Sequence, residues 1–230
     1  MAVSASNGVR PIESRSVVEQ VKAELRRSIL SGALEPGKEF SLREIAAVLN
    51  VSFIPVREAL RSLEGEGLVV FRPGRSALVA PLELADLQGI YRLRHQLEPE
   101  IAARSCLLIS DAELDRLDAQ AAEFGRQDLG IDEIYDSHRA FHEALLAPAA
   151  TEWDQRTLTT LWRAAERYIR IGFGRLDPVP AEHDRREHSH HHLLDAFRTR
   201  KPKLVAKATQ EHLEHNESIA MRALDLEPAR

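Results

Sequence analysis

Ten histidines stand in a chain of 230 residues, and four of them fall where a helix would turn them inward. His138 and His142 are four apart, on the same stripe as Ile134, Phe141 and Leu145. His190 stands four before Leu194 and seven before Phe197, again on an apolar stripe. His188, His191 and His192 fall off that stripe and are expected at the surface. His212 shares a helical face with Val205 and Ala208. Burying one neutral imidazole beside a hydrogen-bond partner is ordinary. Burying four from three helices calls for mutual partners or a cation. A His-x-x-x-His pair on one helical face is a bidentate metal clip, and an all-imidazole set suits a divalent transition metal, zinc or nickel foremost. The alternative is a metal-free pocket for a larger acyl ligand. Arg94 lies on another core-facing stripe, with Leu87, Ile90, Leu97 and Ile101. It suits either an ion pair with Glu98 or a clamp on the carboxylate of a small organic acid. Imidazole-bound metal with an open position is also a hydrolase arrangement. Here the helix reads His-Arg-Ala-Phe-His, with no glutamate inside it to act as base, and no other carboxylate shares the histidine stripes. That argues against an enzyme.

A second constellation lies at residues 41–75. Ser41-Leu-Arg-Glu44 reads as a capping box, followed by an apolar stripe of Ile45, Val48 and Leu49. Asn50 tolerates the left-handed conformation that ends a helix, and Ser52 is a second N-cap, with Pro55 in the first turn behind it. Val56, Ala59, Leu60 and Leu63 form the next stripe. Two short helices joined by a tight turn can present the second to the major groove of double-stranded DNA. Arg57 and Arg61 lie off the apolar stripe, free to reach phosphates or guanine edges, and Arg43 is placed for the backbone or groove wall. Leu68–Phe71 and Ala77–Ala80 read as strands around Arg72-Pro-Gly-Arg75, a turn with two cations at its tip.

The elements that must position these residues divide the chain. Residues 1–14 read as a flexible arm, 15–81 as a winged helix-turn-helix, 82–86 as a linker, and 87–226 as an all-helical bundle. The fold class is therefore mostly α, with one small β-hairpin wing. Five helical stripes follow the first bundle helix, the next opened by Ser110-x-x-Glu113 and the one after Pro148 by Thr151, while Pro99 interrupts the first. The net charge of −5 is unevenly spread: +2 over residues 1–80 and −7 over the rest. The mildly basic half is a weak electrostatic footprint for nucleic acid. So small an excess predicts a homodimer, in which two modules double the phosphate contacts. The one cysteine, Cys106, excludes an intrachain disulfide, no signal-peptide core opens the sequence, and no run nears the roughly 20 apolar residues of a membrane helix. A cytoplasmic protein is expected.

Residues 17–81 resemble the winged-helix domain of GntR-type bacterial transcription regulators. The resemblance is carried by Pro55-Val-Arg-Glu-Ala-Leu60, Leu63, Glu66-Gly-Leu68 and the upstream Ser31-Gly-x-Leu34-x-Pro-Gly37. It implies DNA contacts at Arg43, Ser52, Arg57 and the wing tip near Gly74. Two positions depart: Phe53 stands where an arginine is frequent, and Ser76 where a glycine is. Phe53 removes a base-reading cation, and a phenyl ring suits a thymine methyl instead. Residues 87–215 resemble the FCD effector domain of the FadR-like branch, on Arg94-x-x-x-Glu98-Pro99, Phe141-His142-x-x-Leu145, His190-x-x-Leu193 and His212. That resemblance implies a metal held by an aspartate and three histidines, the latter falling on His142, His190 and His212. Where the aspartate is expected this chain has His138, and Asp136 is turned about 200° away. Ser189 replaces a frequent glutamate, and Thr151 an asparagine. Together these imply a transcription regulator, acting as a dimeric repressor and controlled by an organic acid at a metal site.

Overall fold

The computed structural model describes residues 16–72, 76–125, 131–176 and 180–225, which fall into two compact units dividing after Ala80. The expected arm, residues 1–14, and Gly74 and Arg75 of the wing tip lie outside the described residues.

The first unit holds α1 (Val17–Leu30), β1 (Glu39–Ser41), α2 (Leu42–Val48), α3 (Phe53–Gly65), β2 (Val69–Phe71) and β3 (Ser76–Val79). Its strands form one antiparallel sheet in the order β1-β3-β2, with Phe40 opposite Ala77 and Val70 opposite Leu78. The β2–β3 pair is the expected wing. Strand β1 was not legible in the sequence, because three residues between a Pro-Gly turn and a capping box leave no room for an alternating pattern. The capping box forms: Ser41 Oγ accepts from Arg43 N at 3.2 Å, and Glu44 Oε2 accepts from Ser41 N at 3.1 Å. Asn50 takes the left-handed conformation at φ 51°. The α2 stripe differs from expectation. Leu42 and Ala46 are buried, while Val48 is 81% exposed. A seven-residue helix has room for one inward turn, and Leu42 at its first position sets the phase. In α3 the expected stripe of Val56, Ala59, Leu60 and Leu63 is buried without exception. Glu66 accepts an ion pair from Arg26 and another from Lys22 at 3.3 Å, tying α1 to the end of α3.

The second unit is helical: α4 (Leu84–Ser105), α5 (Asp111–Ala121), a 3-10 turn (Ala122–Gly125), α6 (Ile131–Leu146), α7 (Glu152–Leu176), α8 (Pro180–Arg198) and α9 (Pro202–Ala223). Helix α4 begins inside the stretch read as linker, and it runs on through Pro99. Its start is fastened to α7: Tyr168 Oη donates to Asp86 Oδ2 at 2.7 Å and receives Glu83 N at 3.2 Å. Burial and the hydrogen bond to Asp86 push the Tyr168 phenol up to about 12. The α5 cap is half of the expected box. Ser110 Oγ accepts from Glu113 N at 3.1 Å, but the Glu113 side chain turns outward to Arg116. The α7 cap is complete, Thr151 Oγ1 accepting from Asp154 N at 3.1 Å and Asp154 Oδ2 from Thr151 N at 2.9 Å. One apolar core runs from Ile101 and Leu117 through Phe124, Phe141 and Leu145 to Leu194, Phe197 and Val205. This core forms one wall of the histidine cluster. Among the described residues, no helix is long and apolar enough to cross a membrane.

Candidate functional site

In the helical unit, α6 supplies His138 and His142, α8 supplies His190, and α9 supplies His212. Their ligand atoms all lie within 4.8 Å of one another. His142, His190 and His212 are buried, and His138 is half-buried at the edge of the group. The inward phase of each helix explains the convergence, since each histidine continues an apolar stripe that the core requires. Phe124 and Phe141 stand edge-on against His190, with ring centres 4.8 and 5.2 Å away, and close the side toward the core. His188 and His192 are exposed, as their phase predicts. His191 is instead half-buried, its Nδ1 2.7 Å from Asp118 of α5.

Two of the four rings, His142 and His212, are held neutral by their surroundings. Burial first, and then His138, His212, His190 and Arg94 as potential neighbouring cations, holds His142 well below the usual histidine value. Burial again leads for His212, followed by His190 and Arg94. The Nε2 atoms of His138 and His142 lie 3.3 Å apart, so one can hold a proton for the other. On His212, Ser189 Oγ sits 2.9 Å from Nδ1. An Nδ1–H donated to that hydroxyl would fix the tautomer with the lone pair on Nε2, the outer-sphere arrangement typical of metal-bound imidazole, although in this structure the Asn216 amide donates to that lone pair. Asn216 Nδ2 sits 3.0 Å from that Nε2. Ser189 thus orients a ring although it lacks the carboxylate frequent at its position. Asn216 escaped sequence reasoning, and its signal was its place four residues beyond His212. The donor set, four imidazole nitrogens gathered at one centre, fits a borderline transition metal and not a hard, oxygen-preferring ion.

Arg94 is buried, and the expected ion pair with Glu98 forms. Its Nε donates to Glu98 Oε1 at 2.6 Å. Trp162 Nε1 donates to the same oxygen at 2.9 Å. The Glu98 carboxylate offsets the Arg94 charge. Yet Arg94 Nη1, also buried, has no hydrogen-bond partner among the described residues. Arg94 lines a cleft with His138, His142, Trp162 and Glu166. No carboxylate on the histidine stripes was expected, and Glu166 reaches the cleft from a different helix. It comes from α7, whose stripe was read without it, and it pairs with Arg170 at 2.7 Å. Asp136 is likewise spent on Arg170, at 2.9 Å, and stays outside the cluster.

In the winged unit, Arg43, Phe53, Arg57, Arg61 and Arg72 line one concave surface with Leu42, Glu64 and Phe71. Arg43, Arg57, Arg61 and Arg72 are exposed, and Phe53 is half-buried. Ser52 is exposed at the N-cap of α3 without using its side chain as a cap, so its hydroxyl remains available. Glu64 Oε1 accepts from Phe71 N at 3.1 Å and holds the end of β2 against α3.

A winged helix with a cationic concave face, followed by an all-helical unit, defines a DNA-binding transcription regulator. Residues 17–79 match the bacterial regulatory proteins of the gntR family, and residues 89–215 match the FCD domain. The chain belongs to the gntR family and carries an FCD domain. It is 28% identical over 214 residues to the HTH-type transcriptional regulator BphR of Paraburkholderia xenovorans (strain LB400), covering 89% of this chain and 85% of that one. It is 26% identical over 213 residues to the HTH-type transcriptional repressor RspR of Escherichia coli (strain K12), covering 90% of each. Its fold is like that of E. coli McbR/YncC, with a TM-score of 0.73 at 23% identity over 91% of this chain and 99% of that one. BphR and RspR are transcription regulators and the family match is to regulatory proteins, so the chain is a regulator and not the hydrolase of the rival reading.

Proposed function

We propose that this regulator is a homodimeric repressor whose grip on a two-fold operator is set by a small organic acid bound at a metal in the helical unit. The observation that carries it is the meeting of four imidazoles from three helices, with ligand atoms within 4.8 Å of one another. His138, His142, His190 and His212 would hold the ion, zinc or nickel by the chemistry of the donors. The ion supplies a Lewis-acidic position for a carboxylate oxygen. Four neutral ligands offset none of its charge, so an anion completes the site electrostatically. Arg94, which lines the adjoining cleft and whose buried Nη1 has no hydrogen-bond partner among the described residues, is the group suited to take the acid's second oxygen. Arg43, Ser52, Phe53, Arg57, Arg61 and Arg72, with Gly74 and Arg75 of the wing, form the DNA-reading set. RspR is a repressor, and repression is the mode we assign here by that likeness. A ligand coupling of about 1–3 kcal/mol between the units changes operator occupancy by roughly 5- to 150-fold.

A metal-free pocket for an acyl ligand has one observation in its favour: His212 has protein partners at both ring nitrogens. Elemental analysis of protein purified without an affinity tag separates the two. The metal reading expects about one zinc or nickel per chain, lost in His190→Ala with the winged unit still folded. Calorimetric titration of the metal-loaded protein with a panel of carboxylates follows. Stoichiometric metal with no heat from any acid would leave the ion structural and refute the effector.

A further inference from the structure

The first turn of α3 is the part of the helix pair that enters a major groove and meets base edges. In this chain that turn is Phe53-Ile-Pro-Val56. None of these four side chains can donate or accept a hydrogen bond. Val56 is fully buried, but Ile54 is 66% exposed and Phe53 lines the concave arginine surface. Ile54, Arg57 and Arg61 are spaced i, i+3, i+7, so they share one stripe, turned away from the buried stripe of Val56, Ala59, Leu60 and Leu63. An isolated exposed isoleucine needs no explanation. This one stands in line with two exposed arginines on the helix that enters the groove, with the cations of Arg43 and Arg72 on the same concave surface as Arg57 and Arg61.

Only one feature of the major groove matches an apolar side chain: the C5-methyl of thymine. We infer that the first turn of α3 reads thymine by its methyl group, through Ile54 with Phe53 beside it, while Arg57 and Arg61 supply the polar contacts further along the helix. The inference rests on the DNA-binding reading and deepens it. The half-site should carry a thymine where this turn meets the groove, and hydrogen bonding should contribute nothing to its choice.

The test begins with selection of operators from unmethylated random duplexes by the full chain. Each thymine of the selected site is then replaced by uracil, which keeps every hydrogen-bonding group and lacks only the methyl. Burying one methyl-sized group is worth about 0.8 kcal/mol, so affinity should fall about four-fold per half-site at one thymine and about sixteen-fold when both half-sites are changed. In Ile54→Ala, whose exposed site spares the fold, the thymine and uracil duplexes should bind equally. In Arg57→Ala both should weaken together and the ratio should persist. Silence of every uracil substitution overturns the inference and leaves DNA binding intact. A thymine preference that survives in both Ile54→Ala and Phe53→Ala overturns its assignment to this turn. Failure to enrich any duplex overturns the DNA-binding reading itself.

Discussion

Glu98 is where the helical unit is most exposed to a single change. Its carboxylate is 2% exposed, faces the guanidinium of Arg94 at 4% exposure, and also accepts from the Trp162 indole. Burial alone would favour losing the Arg94 charge, but the Glu98 carboxylate outweighs it and holds the guanidinium above its usual value. Removing one partner of a buried pair leaves the other charge desolvated and uncompensated, at about 3–5 kcal/mol. Glu98→Gln keeps the shape and an acceptor for Trp162 Nε1, so it isolates that charge term. Glu98→Ala also strands the indole N–H, adding about 1–3 kcal/mol. Against a total stability of about 5–15 kcal/mol, the alanine variant should bring the unit close to unfolding. Replacing both partners by apolar residues, Arg94→Met with Glu98→Leu, removes the unpaired charge and should recover most of the loss. Urea unfolding followed by circular dichroism measures all three. A cost below about 1 kcal/mol for Glu98→Gln, with no recovery in the double variant, would refute the buried-pair argument, because it would mean that water reaches Arg94. An added carboxylate effector should partly restore Glu98→Gln, since it brings an acceptor to the same guanidinium.

Four further outcomes are expected. His142 and His212 are held neutral in the fold, below the ordinary histidine value of 6.5; the unfolded chain binds their protons first, so the metal-free protein should be at full stability above that value and lose it as pH falls through it, by denaturant titration at several pH values. Ser189→Ala should lower metal affinity about 10- to 100-fold by releasing the His212 tautomer, read by competition with a chromogenic chelator, while thermal stability of the metal-free protein changes little. Arg57→Ala should weaken operator binding by about 1–3 kcal/mol if the guanidinium reads a base, read by fluorescence anisotropy at physiological salt. Ser41→Ala should destabilise the winged unit by about 1 kcal/mol through loss of the α2 cap, read from its denaturation midpoint.

What the sequence disclosed followed from period and from local capping. Ser41, Asn50 and Thr151 announce helix ends because their side chains and backbone angles act within a few residues of themselves. The three histidine helices were legible because each ring continues a stripe that the core demands, and a stripe is a one-dimensional signal. Contacts set by tertiary placement were not legible. Glu166 enters the histidine cleft from another helix, Trp162 reaches Glu98 across 64 positions, and His191 finds Asp118 across 73. Val48 failed for a related reason. In a helix of seven residues a single buried leucine at the start fixes the phase, and period counting from Ile45 chose the wrong face.

In the proposed metal centre, His138 in place of the aspartate that the resemblance implies would change the charge of the ligand set and not the number of protein ligands. An aspartate would cancel one unit of a dication from inside the protein, and a weakly held anion could then come and go with little electrostatic consequence. Four imidazoles would cancel none, and the buried Arg94 nearby is already matched by Glu98. A dication held there would therefore keep its full charge in a low-dielectric chamber until an anion arrived, and its interaction with a carboxylate would be far stronger than in water. His138→Asp should consequently weaken the organic acid while retaining the metal. A variant that binds the acid as tightly as the parent would show that Arg94, and not the charge on the ion, sets the affinity.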